Sequence, residues 1–110
     1  MANTFLLKTK DGSSTGANTD MTVYTVGAGK TTVIIGCTIA NITASSITVD
    51  AKIENNDGDN IEIGRNLPIP TGSSLDILAG KIVMEASDIL KIQSDTANST
   101  SIALSIMEIS

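Results

Sequence analysis

Histidine and tryptophan are absent from this 110-residue chain, which holds one cysteine, one phenylalanine and one tyrosine. Without histidine, neither a Cys/His zinc site nor a hydrolase triad can be assembled, because no imidazole is present to bind metal or take a nucleophile's proton. The lone Cys37 precludes an intrachain disulfide, and its place inside an apolar run reads as a small core residue rather than a nucleophile. With Phe5 and Tyr24 as the whole aromatic supply, there is little on which bases or sugars would stack. Basic residues are scarce and dispersed: 7 Lys and Arg against 12 Asp and Glu give a net charge of −5. Affinity for a polyanion comes chiefly from clustered Lys and Arg, so a nucleic-acid partner is not expected. Long apolar runs are missing too. The N-terminus, MANTFLLKTK, is too short in apolar residues for a signal peptide or a membrane span, so the reading is synthesis in the cytoplasm and no membrane partner.

What is present favours sheet. The hydrophobic content is 41%, largely Ile, Val and Leu, and β-branched side chains fit a pleated surface better than a helix. The length suits one domain with a modest core. Alternation of period two recurs: Ile47, Val49, Ala51 and Ile53 oppose Thr48, Asp50, Lys52 and Glu54, and Ile102, Leu104 and Ile106 oppose Ser101, Ala103 and Ser105. Thr31 to Ala40 is apolar on both faces, with Val33, Ile35, Cys37 and Ile39 set against Ile34, Gly36, Thr38 and Ala40, and reads as a central strand with a bulge or close approach at Gly36. Further strands are predicted at Thr4 to Thr9, Met21 to Val26, Asn60 to Leu67, Ser74 to Leu78, Lys81 to Glu85 and Ile89 to Ser94, separated by turn-forming clusters such as Asp11-Gly12-Ser13-Ser14, Pro70-Thr71-Gly72-Ser73 and Ala79-Gly80. The predicted fold class is all-β: a single antiparallel β-sandwich, jelly-roll-like, of about nine short strands. Residues 1–20 read as an N-terminal arm and flexible loop, and 21–110 as the sandwich body. Such an arm is free either to pair with its own sheet or to reach another subunit.

Candidate chemistry gives way to structural readings. Gly27-Ala28-Gly29-Lys30-Thr31-Thr32 suggests a phosphate-binding loop, but the first glycine is missing, Tyr24 standing in its place, and a β-branched run follows where a helix must begin. It reads as a turn feeding a strand, with Lys30 solvated at its mouth. Asn56-Asp57-Gly58-Asp59-Asn60 is rich in oxygen ligands but lacks the register of a calcium loop and suits a hairpin turn. Asp50, Asp76, Asp88 and Asp95 fall at strand edges or turns rather than in a pocket that would separate their pKa values. Asn41-Ile42-Thr43 and Asn98-Ser99-Thr100 match the glycosylation pattern without a secretion signal. The sequence thus implies no catalytic residue, no metal and no cofactor. Met107 and Ile109 carry apolar character to the opposite face of the last strand, and with Phe5, Leu6 and Leu7 of the arm they are the candidate interface residues. A covering by sister copies, as a homotrimer, is the expectation.

Three segments together form a recognisable pattern: Tyr24-Thr25-Val26-Gly27-Ala28-Gly29-Lys30-Thr31-Thr32-Val33-Ile34-Ile35-Gly36, then Ala40-Asn41, then Leu67-Pro68-Ile69-Pro70-Thr71-Gly72-Ser73-Ser74-Leu75. The pattern resembles the small all-β virion proteins of tailed bacteriophages, marine and cyanobacterial phages in particular, over roughly residues 21 to 109. Gly27 stands where that group often has proline, a change the turn accommodates. The resemblance implies a structural component located in the virion, with the major capsid protein or other virion proteins as partners and no catalytic residues to carry over. The leading expectation is a capsid decoration, or cement, protein that bridges capsid subunits, with Phe5 to Leu7 as an anchor. A neck, tail or baseplate adaptor and a host-glycan-binding sandwich are the alternatives.

Overall fold

The computed structural model describes residues 3–12, 15–77 and 81–110. Nine strands are ordered along the chain: β1 (Asn3–Asp11), β2 (Met21–Thr25), β3 (Thr31–Asn41), β4 (Ile47–Glu54), β5 (Asn60–Ile69), β6 (Ser74–Asp76), β7 (Ile82–Met84), β8 (Ile89–Ser94) and β9 (Thr100–Ile109). Leu78, Ala79 and Gly80, expected as a strand end and turn, lie outside the described residues, as do Met1, Ala2, Ser13 and Ser14.

Two antiparallel sheets pack face to face. The first runs β1-β9-β3, with β6 and β7 sharing the far edge of β3: β6 lies opposite Thr38–Ala40 and β7 opposite Thr32–Ile34. The second runs β2-β8-β4-β5. The pairings are nested: β4 with β5, β3 with β6 and β7, β2 with β8, β1 with β9. One long hairpin has been rolled so that successive pairs alternate between the sheets, which is the jelly-roll arrangement. The segment read as an arm pairs with its own sheet: β1 runs antiparallel to β9 from Asn3↔Ile109 to Asp11↔Ser101.

The core is aliphatic, as the alternation required. Ile47, Val49 and Ala51 of β4, Leu90 and Ile92 of β8, and Ile102, Leu104 and Ile106 of β9 are buried between the sheets, each large one worth roughly 1.5–3 kcal/mol. In β3 the structure corrects the sequence reading. A bulge between Ile34 and Gly36 inserts Ile35 as an extra residue, so parity switches and the buried set is Ile34, Cys37 and Ile39, with Ile35 exposed. A second irregularity, between Thr22 and Tyr24, lets adjacent Val23 and Tyr24 both be buried.

Connections gather at two ends. Hydrogen bonds from Gly12 N to Thr100 O, Ile42 N to Ser99 O and Asn41 N to Ser73 O tie the β1–β2, β3–β4, β5–β6 and β8–β9 loops together. At the opposite end, Val26 N bonds Asp88 O and Ser87 N bonds Val26 O, joining the β2–β3 and β7–β8 turns.

Candidate interaction surface

The two outward faces of the sandwich differ in chemistry. On the β2-β8-β4-β5 sheet, Thr22, Lys91, Lys52 and Glu62 form one row across the strands. Ion pairs lace this face: Lys52 Nζ lies 3.0 Å from Asp20 and Lys91 Nζ 2.6 Å from Glu54. Such a face is stable in water as it stands.

The outward face of the β1-β9-β3 sheet is the reverse. Register places Phe5 beside Met107, Met107 beside Val33, and Val33 beside Val83. In a pleated sheet, partners in one row point the same way, so these four make an apolar band from edge to edge. Phe5 is 73% exposed, Leu7 66%, Val83 62% and Ile35 41%. Met107 and Ile109 are half-buried on the same face. The rest of the face is small and neutral, with Ser105, Ala103, Ser101, Thr38 and Ala40. Among the described strand residues its charges are Asp11, at the end away from Phe5, and Asp76, whose carboxylate lies beside Gly36 in the row next to the Phe5 band.

Of the five residues expected at an interface, Phe5, Leu7, Met107 and Ile109 therefore share one surface. Leu6 does not: it belongs to the inward row Leu6, Ile106, Ile34 and Ile82 and packs against the core.

Beneath this face lies a polar cluster that the sequence reading missed. Glu108 has the inward parity of Ile102, Leu104 and Ile106, where a carboxylate needs partners. Tyr24 supplies one, donating its hydroxyl to Glu108 Oε2 while accepting from the buried Thr32 Oγ1, 2.9 Å away. Lys30, expected to be simply solvated, stands 3.5 Å from Glu108 Oε1. The Tyr24 bond, with Lys30 nearby, holds the Glu108 carboxyl below its ordinary pKa, whereas burial and the Glu108 bond push the Tyr24 phenol up. The available signal was the parity of Glu108, but Tyr24 could not be matched to it because a bulge displaces the alternation in β2.

Asn41 is the second buried polar device. Its Nδ2 donates to Ser45 O at 2.7 Å and Ile69 O at 3.0 Å, and its Oδ1 accepts from Thr43 N and Thr43 Oγ1. Its side chain is thereby committed to loop closure. Asn98, of the second glycosylation-like triplet, sits in a turn at φ 56°.

Three of the four carboxylates weighed as catalytic pairs, Asp50, Asp88 and Asp95, accept backbone hydrogen bonds. Asp50 Oδ1 accepts from Asn66 N, Asp95 Oδ1 from Thr48 N, and Asp88 from both Asn56 N and Glu85 N. Asn55 Oδ1 accepts from Asp57 N and Asp59 N, closing the β4–β5 turn around Gly58 at φ 87°. Among the described residues, no group of three or more His, Cys, Asp and Glu side chains is arranged to hold a metal ion. Cys37 is wholly buried, and desolvation pushes its thiol pKa up to about 12.

No family model matches the chain, and no curated protein matches it. Solved structures do share its architecture. A chain of the Bacillus endospore appendages, a family of disulfide-linked pili, superposes with a TM-score of 0.58 at 13% identity, over 99% of this chain and 87% of that one. The infectious bursal disease virus VP2 subviral particle matches with a TM-score of 0.52 at 18% identity, and the Gx strain of that virus with 0.53 at 11%. Both cover 96% of this chain and 32% of the viral one, so the chain spans about a third of the viral chains' length. The disulfide linkage of the pili finds no equivalent in Cys37, the sole cysteine, which is buried. At such identities the likeness is one of fold, an antiparallel β-sandwich that this chain has in common with structural proteins of a pilus and of a viral particle.

Proposed function

We propose that this chain is a non-enzymatic structural protein of a bacteriophage virion, a capsid decoration protein that self-associates and bridges capsid subunits. The observation that carries this reading is the outward face of the β1-β9-β3 sheet. Large exposed apolar side chains on a monomer mark a surface meant to be covered, and here four of them, Phe5, Leu7, Ile35 and Val83, lie on one face. The rest of the molecule supports the same reading. Several of its polar side chains, Asn41, Asn55 and Asp88 among them, close turns and loops, and its acidic exterior suits addition to a shell without binding the genome. The sequence pattern spanning Tyr24 to Leu75 resembles tailed-phage virion proteins, and the fold is one from which a pilus and a viral particle are built.

Imaging of phage particles carrying this protein by cryo-electron microscopy tests the proposal. Density for the sandwich repeating over the head lattice is expected, together with lower resistance of heads to heat or low salt when the protein is omitted. Occupancy restricted to the neck or tail would remove the decoration role.

A further inference from the structure

We infer that the outward face of the β1-β9-β3 sheet is covered by the same face of a second copy, giving a two-fold, sheet-on-sheet dimer as the unit that assembles. The inference deepens the structural reading above and rests on it. Four features of the molecule lead to it.

Three of the four sheet edges, β1, β6 with β7, and β5, are guarded, which turns association away from strand addition there. On β1, the outermost strand of this sheet, Lys8 and Lys10 take the inward parity opposite Leu104 and Ile102, and inward-pointing charges on an edge strand oppose pairing with another chain. The opposite edge consists of β6 and β7, each of three residues, too short to template a long partner strand. In the second sheet, edge strand β5 is bulged around Gly64 and carries Pro68, which has no N–H to donate. The open surface is a face.

The face is also neutral where the partner would sit. Two copies of a chain with net charge −5 repel one another unless they meet where neither carries charge, and the band from Phe5 to Val83 is such a place.

Among the described residues the apolar patch is single. A ring of three requires two different complementary patches on each copy, whereas a two-fold contact requires one patch that matches itself. Ile42 and Ile61, the other large apolar side chains exposed among the described residues, are not part of this face. The arrangement therefore favours a dimer over the trimer suggested by sequence.

The size is adequate. Four strands at about 4.8 Å spacing and the ten residues of β9 at about 3.3 Å each make a face of roughly 600 Å². Pairing two such faces over their full length, Asp11 and Asp76 included, buries at most roughly 1,200 Å², the lower bound for stable interfaces.

Sedimentation equilibrium of the full chain without particles tests this directly. The native protein is expected at twice its 11.3 kDa mass. The Phe5→Asp/Val83→Asp double variant is expected to weaken the dimer about 100-fold or more, since each new charge enters a two-fold interface twice. Ile61→Asp, off the face, should leave the dimer intact. Far-UV circular dichroism confirms that the variants are folded, and the milder Phe5→Ser, also expected to weaken the dimer, replaces the double variant if that one is not. A monomeric native chain at about 100 μM, a trimer, or a dimer lost equally through Ile61→Asp overturns the inference. None of these outcomes touches the binding of the protein to phage heads, which is measured separately.

Discussion

Replacing Asn41 probes how a single buried amide closes one end of the sandwich. Asn41 is 3% exposed and its side chain makes four hydrogen bonds, to Ser45 O, Ile69 O, Thr43 N and Thr43 Oγ1. In Asn41→Ala the partners near the surface, Ser45 and Thr43, regain water, so each of those losses is small. The bond to Ile69 O is buried, and its loss carries the full desolvation penalty of about 1–3 kcal/mol. Together with the net value of the other bonds, the expected destabilisation is about 2–4 kcal/mol. That is a large share of the roughly 5–15 kcal/mol that holds such a domain together, and it corresponds to a fall in Tm of about 10–20 °C. Urea titration followed by circular dichroism reads it as a lower midpoint with unchanged slope. Asn41→Asp sharpens the test. Near neutral pH it directs a carboxylate at two carbonyl oxygens and should cost more than Asn41→Ala; once acid protonates it, one donor returns and the gap to the Ala variant should close. A cost below about 0.5 kcal/mol for Asn41→Ala, or an Asp variant that tracks the Ala variant at every pH, would refute the reasoning.

Tyr24→Phe removes a hydrogen bond to a charged group and should destabilise the fold by about 1.5–3 kcal/mol. Because the folded Glu108 pKa lies below its ordinary 4.5, the contribution of Glu108 is complete above that value and lost as pH falls through the depressed one. The stability gap between the native chain and Glu108→Gln should therefore shrink in acid, and a gap independent of pH would contradict the Tyr24–Glu108 assignment. Cys37, buried with a pKa of about 12, should resist thiol reagents in the folded protein and react only on unfolding; reaction at the rate of an open thiol would place it wrongly. A Cβ at Gly12 would come within 2.2 Å of Thr100 Oγ1 and 2.9 Å of Thr100 O, so Gly12→Ala should cost about 1–3 kcal/mol in thermal melts. The exposed Gly16→Ala, whose new Cβ meets only Thr19 Oγ1 at 3.4 Å, should be close to neutral by the same measurement.

Local chemistry along the chain determined the strands and placed their boundaries to within about two residues, β5 running on through Pro68 to Ile69 and β1 reaching Asp11. Alternation in Ile47–Ile53 and Ile102–Ile106 marked which side chains face inward, and turn-forming clusters marked where each strand stops, because pleat parity and turn conformation depend on neighbours within a few residues. The absence of histidine likewise excluded whole classes of chemistry before any fold was known. Register and bulges were decided only by the tertiary structure. The extra residue at Ile35 moved the buried set of β3 to Ile34, Cys37 and Ile39, and the irregularity beside Tyr24 brought its hydroxyl to Glu108 across 84 residues of sequence. Leu6 and Phe5 are adjacent in the chain, yet one entered the core and the other the exposed band. That choice depends on which strand lies beside β1 and which sheet lies behind it, and such long-range pairing has no trace in a window of neighbouring residues.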